Sequence, residues 1–132
     1  MTVRGVGVDA VDVGRFRDLL GRRPGLARRL FTEGERAYAE GTPDPGTRLA
    51  ARFAAKEAVL KAMGVGIGAA DFREMEVVRG PGGEPTLALS GRAAALAGTR
   101  GIDRWHVSLT HTDQVAVASV VAEGSGAGEA GR

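Results

Sequence analysis

Two carboxylates and two lysines are the residues whose types and spacing suit chemistry best. Asp9 closes an alternating stretch, Val3–Asp9, in which Gly5, Gly7 and Asp9 face one way and Val6 and Val8 the other. Glycines on that face leave room for a ligand or a backbone to come close. Glu57 lies on a long helical segment. If strand and helix pack side by side, Asp9 and Glu57 supply the pair of oxygen ligands that magnesium takes, with water and substrate phosphate completing its shell. Other roles compete for both residues. Asp9 could cap a helix or close a turn, as Asp12 could, and Glu57 could pair with Lys61 four residues on.

The lysines matter because the chain has so few. It carries 16 arginines and two lysines, Lys56 and Lys61, five residues apart. An arginine fork does not replace a compact ammonium at a phosphate. Both positions therefore read as sites that require a point charge.

Two further motifs invite functional readings. Gly64-Val65-Gly66-Ile67-Gly68 is glycine-rich, but it follows a helix and lacks the Gly-Lys-Ser/Thr of a nucleotide loop. It reads as a helix stop and a flexible turn whose backbone could border a nucleotide near Lys61. His106, Ser108 and His111 share a strand and its end. No G-x-S-x-G elbow accompanies them, and without a close carboxylate a zinc site is not expected. Phosphate or interface contacts, or plain solvation, remain open for them.

These residues need a scaffold. Asp12 is a candidate cap for a helix over 13–20, ended by Gly21 and Pro24, and a short helix follows over 26–31. Thr32 with Glu35 fits a capping box, and Gly41 ends that helix. Thr42–Gly46 reads as a loop. Residues 48–63 form the strongest helix, stopped by Gly64. On a wheel of about 100° per residue, Leu49, Phe53, Leu60 and Met63 make an apolar stripe, with Lys56 inside it and Glu57 at its edge. A charge there needs a partner or a ligand. Residues 74–78 and 86–89 flank Gly80–Gly83 as a hairpin, and Ser90 caps a helix to about Ala97. Strands at 105–110 and 115–121 close the order β-α-α-α-β-β-α-β-β, an α+β arrangement.

Composition sets the outer limits. The 132 residues suit one domain, expected over 1–123, with a glycine-rich disordered tail over 124–132. There are no cysteines, which removes disulfides and thiolate chemistry. No apolar run reaches the length of a membrane span, and Met1–Val8 is too short for a signal peptide, so the cytoplasm is the expected location and no membrane partner is expected. Net charge is +2, yet seven arginines between Arg15 and Arg36 face only Asp18, Glu33 and Glu35. That basic stretch suits an acidic partner, or is an ordinary solvated face. Nucleic acid is not expected, because the stretch lacks interleaved aromatics for stacking.

Three segments in register carry a resemblance: GVGVDAVDVGRF at 5–16, RFAAKEAVLKAMGVGIG at 52–68, and HVSLTHT at 106–112. With Phe-Thr-Glu-x-Glu at 31–35, they are similar to the holo-acyl-carrier-protein synthase family, the small bacterial 4′-phosphopantetheinyl transferases. The resemblance spans about residues 3–122. It implies an antiparallel sheet packed on a long central helix, and transfer of phosphopantetheine from coenzyme A to a serine of an apo acyl carrier protein of fatty acid or polyketide synthesis. It implies magnesium on Asp9 and Glu57, Lys61 at the coenzyme's phosphates, and the coenzyme pocket lined by Arg52, Gly64, Pro85, His106 and Thr110. Arg15 matches a position that engages the carrier, and a homotrimer with active sites between subunits is expected. Catalysis would then rest on Asp9, Glu57 and Lys61, with the serine proton passing to Glu57 or to a metal-held water. Gly14 and the tail depart from the family pattern. Other readings are a different magnesium-dependent phosphoryl or nucleotidyl transferase, or a noncatalytic nucleic-acid module.

Overall fold

The structure, a computed structural model, describes residues 1–125. β1 (Thr2–Asp12) leads into α1 (Val13–Arg22), α2 (Leu26–Leu30), α3 (Glu33–Glu40) and α4 (Pro45–Ala62). A 3-10 turn at Phe72–Glu74 precedes the hairpin β2 (Met75–Arg79) and β3 (Pro85–Leu89). Then come α5 (Gly91–Thr99), β4 (Arg104–His111) and β5 (Val115–Gly124). The main sheet is antiparallel in the order β1-β5-β4, and the hairpin lies beside β4 without joining its ladder. This is the expected α+β architecture, a sheet packed on a long helix. Its four helices before the hairpin are the four segments read from sequence, one more than the order written there counts.

Local signals account for most of the boundaries. The Asp12 side chain accepts from Arg15 N at 2.8 Å and starts α1. Thr32 and Glu35 form the capping box of α3. Two boundaries move. β1 does not end at Asp9, because pairing with β5 continues through Ala10–Val117 to Asp12–Val115. α4 begins inside the expected loop, with Asp44 as cap and Pro45 in the first turn, where its missing N–H costs nothing. Ser90 makes no side-chain cap for α5; Glu74 Oε1 accepts from Ala93 N instead. At the other end, β5 pairs Gly124 with Thr2, one residue into the expected tail, and residues 126–132 lie outside those described.

α4 is not an amphipathic helix with one apolar stripe. From Leu49 to Ala62 it is buried on nearly every side, and only Phe53, Glu57 and Lys61, four residues apart, reach solvent. Its neighbours come close because the contacts are small. A Cβ added to Gly7 would lie 2.0 Å from Ala58 O, and one added to Gly5 would lie 1.9 Å from Ala62 O. The face of β1 that the glycines leave bare is therefore filled by the backbone of α4. The valines on the opposite face stay open: Val6 is 66% exposed.

Lys56 holds α4 from the other side. Its ammonium is 0% exposed and donates to Glu35 Oε1 at 2.7 Å, Phe72 O at 2.8 Å and Met75 O at 3.0 Å. Glu35 Oε2 accepts from Val77 N at 2.9 Å, and its Oε1 also accepts from Thr32 N. Three acceptors around one nitrogen match the three donors of an ammonium, which a planar guanidinium would not fit. The requirement for a compact charge at Lys56 is thus structural, not phosphate binding. Burying this pair gains little against an apolar core, but breaking it strands a charge. Glu35→Gln should destabilise the protein by about 3–5 kcal/mol in urea unfolding. A loss below about 1 kcal/mol would show that the pair does not anchor α4.

Candidate functional site

Asp9 shares the inward face of β1 with Gly5 and Gly7, so the close approach of α4 carries it against the solvent strip of that helix. Lys61 Nζ donates to Asp9 Oδ1 at 2.9 Å and to Val8 O at 3.1 Å. The expected alternative, a Glu57–Lys61 pair within the helix, is not among the salt bridges. Glu57 faces Asp9 instead. Burial, and then the closeness and charge of Asp9, push its carboxyl up to about 7, with Lys61 offsetting part of the effect. Pairing with Asp9 in turn holds Lys61 above its usual range. Asp9 Oδ2 is buried and has no hydrogen-bond partner.

A buried carboxylate oxygen without a donor, beside a second carboxyl held partly protonated, fits a hard divalent cation. Among the described residues no group of three or more His, Cys, Asp or Glu could hold a metal. That donor set suits a cation content with two carboxylates, such as magnesium, and not zinc. Beside the pair lies a hollow of about 230 Å³ lined by Glu57, Lys61, Val65, Gly66 and Ile67. Gly64 stands at its edge with φ 73°, the left-handed turn that ends α4 and turns the following loop back toward Leu60.

The other candidate residues do not gather there. Arg52, Pro85 and Thr110 line a separate cavity of about 350 Å³ together with Tyr38, Arg48 and Arg79. Arg52 is five residues before Glu57, about 140° around the helix, so the two point to different sides. His106 lies in neither cavity. It sits on the open face of the sheet, where its Nε2 meets Glu123 Oε1 at 2.6 Å. A carboxylate thus stands close to this histidine, contrary to expectation, because antiparallel pairing of β4 with β5 brings Glu123 alongside. Arg15 is exposed on α1 beside Asp18, Leu19 and Arg22.

Sequence reasoning missed Tyr38 and Arg79. Tyr38 is the only tyrosine in the chain, which is the one signal that could have marked it. It also missed a larger apolar hollow of about 410 Å³ between α2 and the loop after α4, where Leu26, Leu30, Ile67 and Phe72 are rimmed by Arg23 and Arg29.

Comparisons with known proteins extend over nearly the whole described chain. The sequence pattern of the 4′-phosphopantetheinyl transferase superfamily matches residues 5–120. The holo-[acyl-carrier-protein] synthase of Frankia casuarinae is 55% identical over 123 residues, covering 93% of this chain and 99% of that protein. The synthase of Salinispora arenicola is 52% identical over 118 residues, 89% of this chain and 96% of that one. Among solved structures, the synthase of Neisseria meningitidis superposes with a TM-score of 0.84 at 32% identity, covering 92% of this chain and 99% of that one. The Bacillus anthracis synthase in complex with coenzyme A (3′,5′-ADP) gives 0.78 at 34% identity, with 95% and 100% covered.

The raised Glu57 carboxyl has a consequence for stability. Between the ordinary carboxylate range and about 7, the folded chain binds a proton that the unfolded chain does not, so stability falls as pH rises through that window. In chelator, Glu57→Gln should melt above the wild type at pH 8 and close to it at pH 5. Equal melting temperatures at both values would mean that neither burial nor Asp9 raises the Glu57 carboxyl.

Proposed function

The chain belongs to the 4′-phosphopantetheinyl transferase superfamily, and from that premise we infer how its residues divide the work. The reaction is transfer of 4′-phosphopantetheine from coenzyme A to a serine of an apo acyl carrier protein, giving the holo carrier and adenosine 3′,5′-bisphosphate. Asp9, Glu57 and Lys61 carry it out. The serine hydroxyl attacks the β-phosphorus of the coenzyme's pyrophosphate, and negative charge spreads over the phosphate oxygens. Positioning and charge neutralisation supply most of the rate.

Asp9 and Glu57 would hold magnesium, which when bound neutralises the pyrophosphate and polarises it toward attack. Lys61, anchored by Asp9 Oδ1 and Val8 O with its side chain still half exposed, is placed to offset charge on the leaving phosphate. Glu57 offers its carboxylate, or a water beside it, to the serine proton. Gly64 and the turn behind it leave backbone open beside the coenzyme. The observation that carries this reading is the apposition of Asp9 and Glu57 with Asp9 Oδ2 left without a donor.

Arg52, Pro85 and Thr110 face away from Glu57 in the same chain, so a second copy would supply them to a shared site. The open face of the sheet gives such a copy a place to pack, with Val3, Val6 and Val8 all more than half exposed. His106 lies on that face and would enter the site across the joint. A homotrimer is the assembly this reading adopts. The exposed arginines of α1 and α2, Arg15 among them, suit an acidic carrier helix, and the apolar hollow beside them suits its side chains. Among the described residues no helix is long and apolar enough to cross a membrane, and we place the protein in the cytoplasm.

Two experiments test this. The chain, an apo carrier protein, coenzyme A and magnesium should yield a carrier heavier by one phosphopantetheine, and a chelator should abolish the gain. Asp9→Asn turning over like the wild type would sink the metal site. The shared site predicts complementation. Glu57→Gln and Arg52→Ala, each inactive alone, should regain about a quarter of wild-type activity when unfolded together and refolded as mixed oligomers. No recovery would place the whole site within one chain.

A further inference from the structure

One cluster is more elaborate than coenzyme contact alone requires. Arg52 is only 4% exposed, its Nε has no hydrogen-bond partner, and it belongs to none of the ion pairs among the described residues. Burial lowers its pKa, but a guanidinium stays charged through the working range. A buried cation without a carboxylate needs another anchor, and Tyr38 provides it. The Arg52 guanidinium carbon stands 4.3 Å from the centroid of the Tyr38 ring. That of Arg79 stands 5.0 Å from the same centroid, and Arg79 Nη1 donates to Tyr38 Oη at 2.6 Å. One aromatic ring thus gathers two guanidinium groups that repel each other, beside Arg48, in a cavity of about 350 Å³ with no acidic residue in its lining. An arrangement of this kind is completed by a multiply charged anion.

Coenzyme A has two phosphorylated ends. The pyrophosphate reacts, and belongs at Glu57 and Lys61. The other end carries a 3′-phosphomonoester, a dianion that the Glu57 side of α4 leaves unmatched. We propose that Tyr38 is the positioning residue for this group: its ring and hydroxyl hold Arg52 and Arg79 together as one receptor for the 3′-phosphate. Tyr38 Oη accepts from Arg79, which leaves the phenol proton to be donated to a phosphate oxygen. The proposal rests on the assignment of Arg52, Pro85 and Thr110 to the coenzyme, and it adds the specificity that separates coenzyme A from its 3′-dephospho form.

The test compares the two substrates at saturating apo carrier. For Tyr38→Leu, KM for coenzyme A should rise about tenfold with kcat within about threefold, while KM for 3′-dephospho-coenzyme A stays put. Tyr38→Phe keeps the ring and loses the hydroxyl, so its KM for coenzyme A should rise about threefold, as should that of Arg79→Gln. A general packing defect would move both substrates together. Unchanged preference for coenzyme A in Tyr38→Leu overturns the proposal. If that variant does not fold, unchanged preference in both Tyr38→Phe and Arg79→Gln overturns it, as does a wild type that uses both substrates equally. A wild type that makes no holo carrier from either substrate removes the functional reading itself, whereas transfer with unaltered preference removes only the role of Tyr38.

Discussion

The contact between the backbone of β1 and the backbone of α4 governs where everything else can be. Gly5 and Gly7 lie so close to the carbonyls of Ala62 and Ala58 that no side chain fits between them. Helix and sheet normally stand apart by the thickness of their side chains. Here that thickness is removed, and Asp9, next on the same face, arrives at the one strip of α4 that reaches solvent. A carboxylate from a strand and one from a helix can be brought together here because the two elements meet without intervening side chains. The alanine-rich sequence of α4 belongs to the same design: small residues let it be surrounded on nearly all sides in a chain with few aromatics.

Two lysines separated by five residues show what completeness and incompleteness mean for a charge. Lys56 is wholly buried, and each of its donors has an acceptor, so the group fixes the helix and does nothing else. Across the helix, Asp9 has one oxygen paired with Lys61 and the other with no donor, while Glu57 is held out of its ordinary range. The first cluster is closed and stabilising. The second leaves valence unsatisfied, which makes it costly to fold and able to bind.

Much of this was readable in the sequence, for reasons that can be named. Caps at Asp12 and Thr32, the hairpin and the stop at Gly64 are local signals and fall where expected. Asp9, Glu57 and Lys61 stood out because their types are unusual in their places, and the structure brings all three together. What sequence could not show was pairing at long range. The partner of Lys56 is 21 residues away, on a helix where Glu35 looked like a capping residue and nothing more. The carboxylate beside His106 comes from the adjacent strand, and strand pairing also carries β1 past Asp9. The gathering of Arg52 and Arg79 on Tyr38 joins α3, α4 and β2, which no local pattern connects. The wheel failed for α4 because it assumes one wet face, and this helix has only a narrow edge.

The seclusion of Lys56 has a practical corollary. Of the two side-chain amines, one is sealed in the core and the other projects into the hollow beside Glu57, so reagents that acylate amines find Lys61 as their only accessible lysine. The remaining target is the α-amino group of Met1, whose lower basicity allows it to be separated by pH. The fold thus leaves one addressable side-chain amine, more basic than that of a free lysine, through which a spectroscopic reporter could be installed at the mouth of the site without engineering a cysteine.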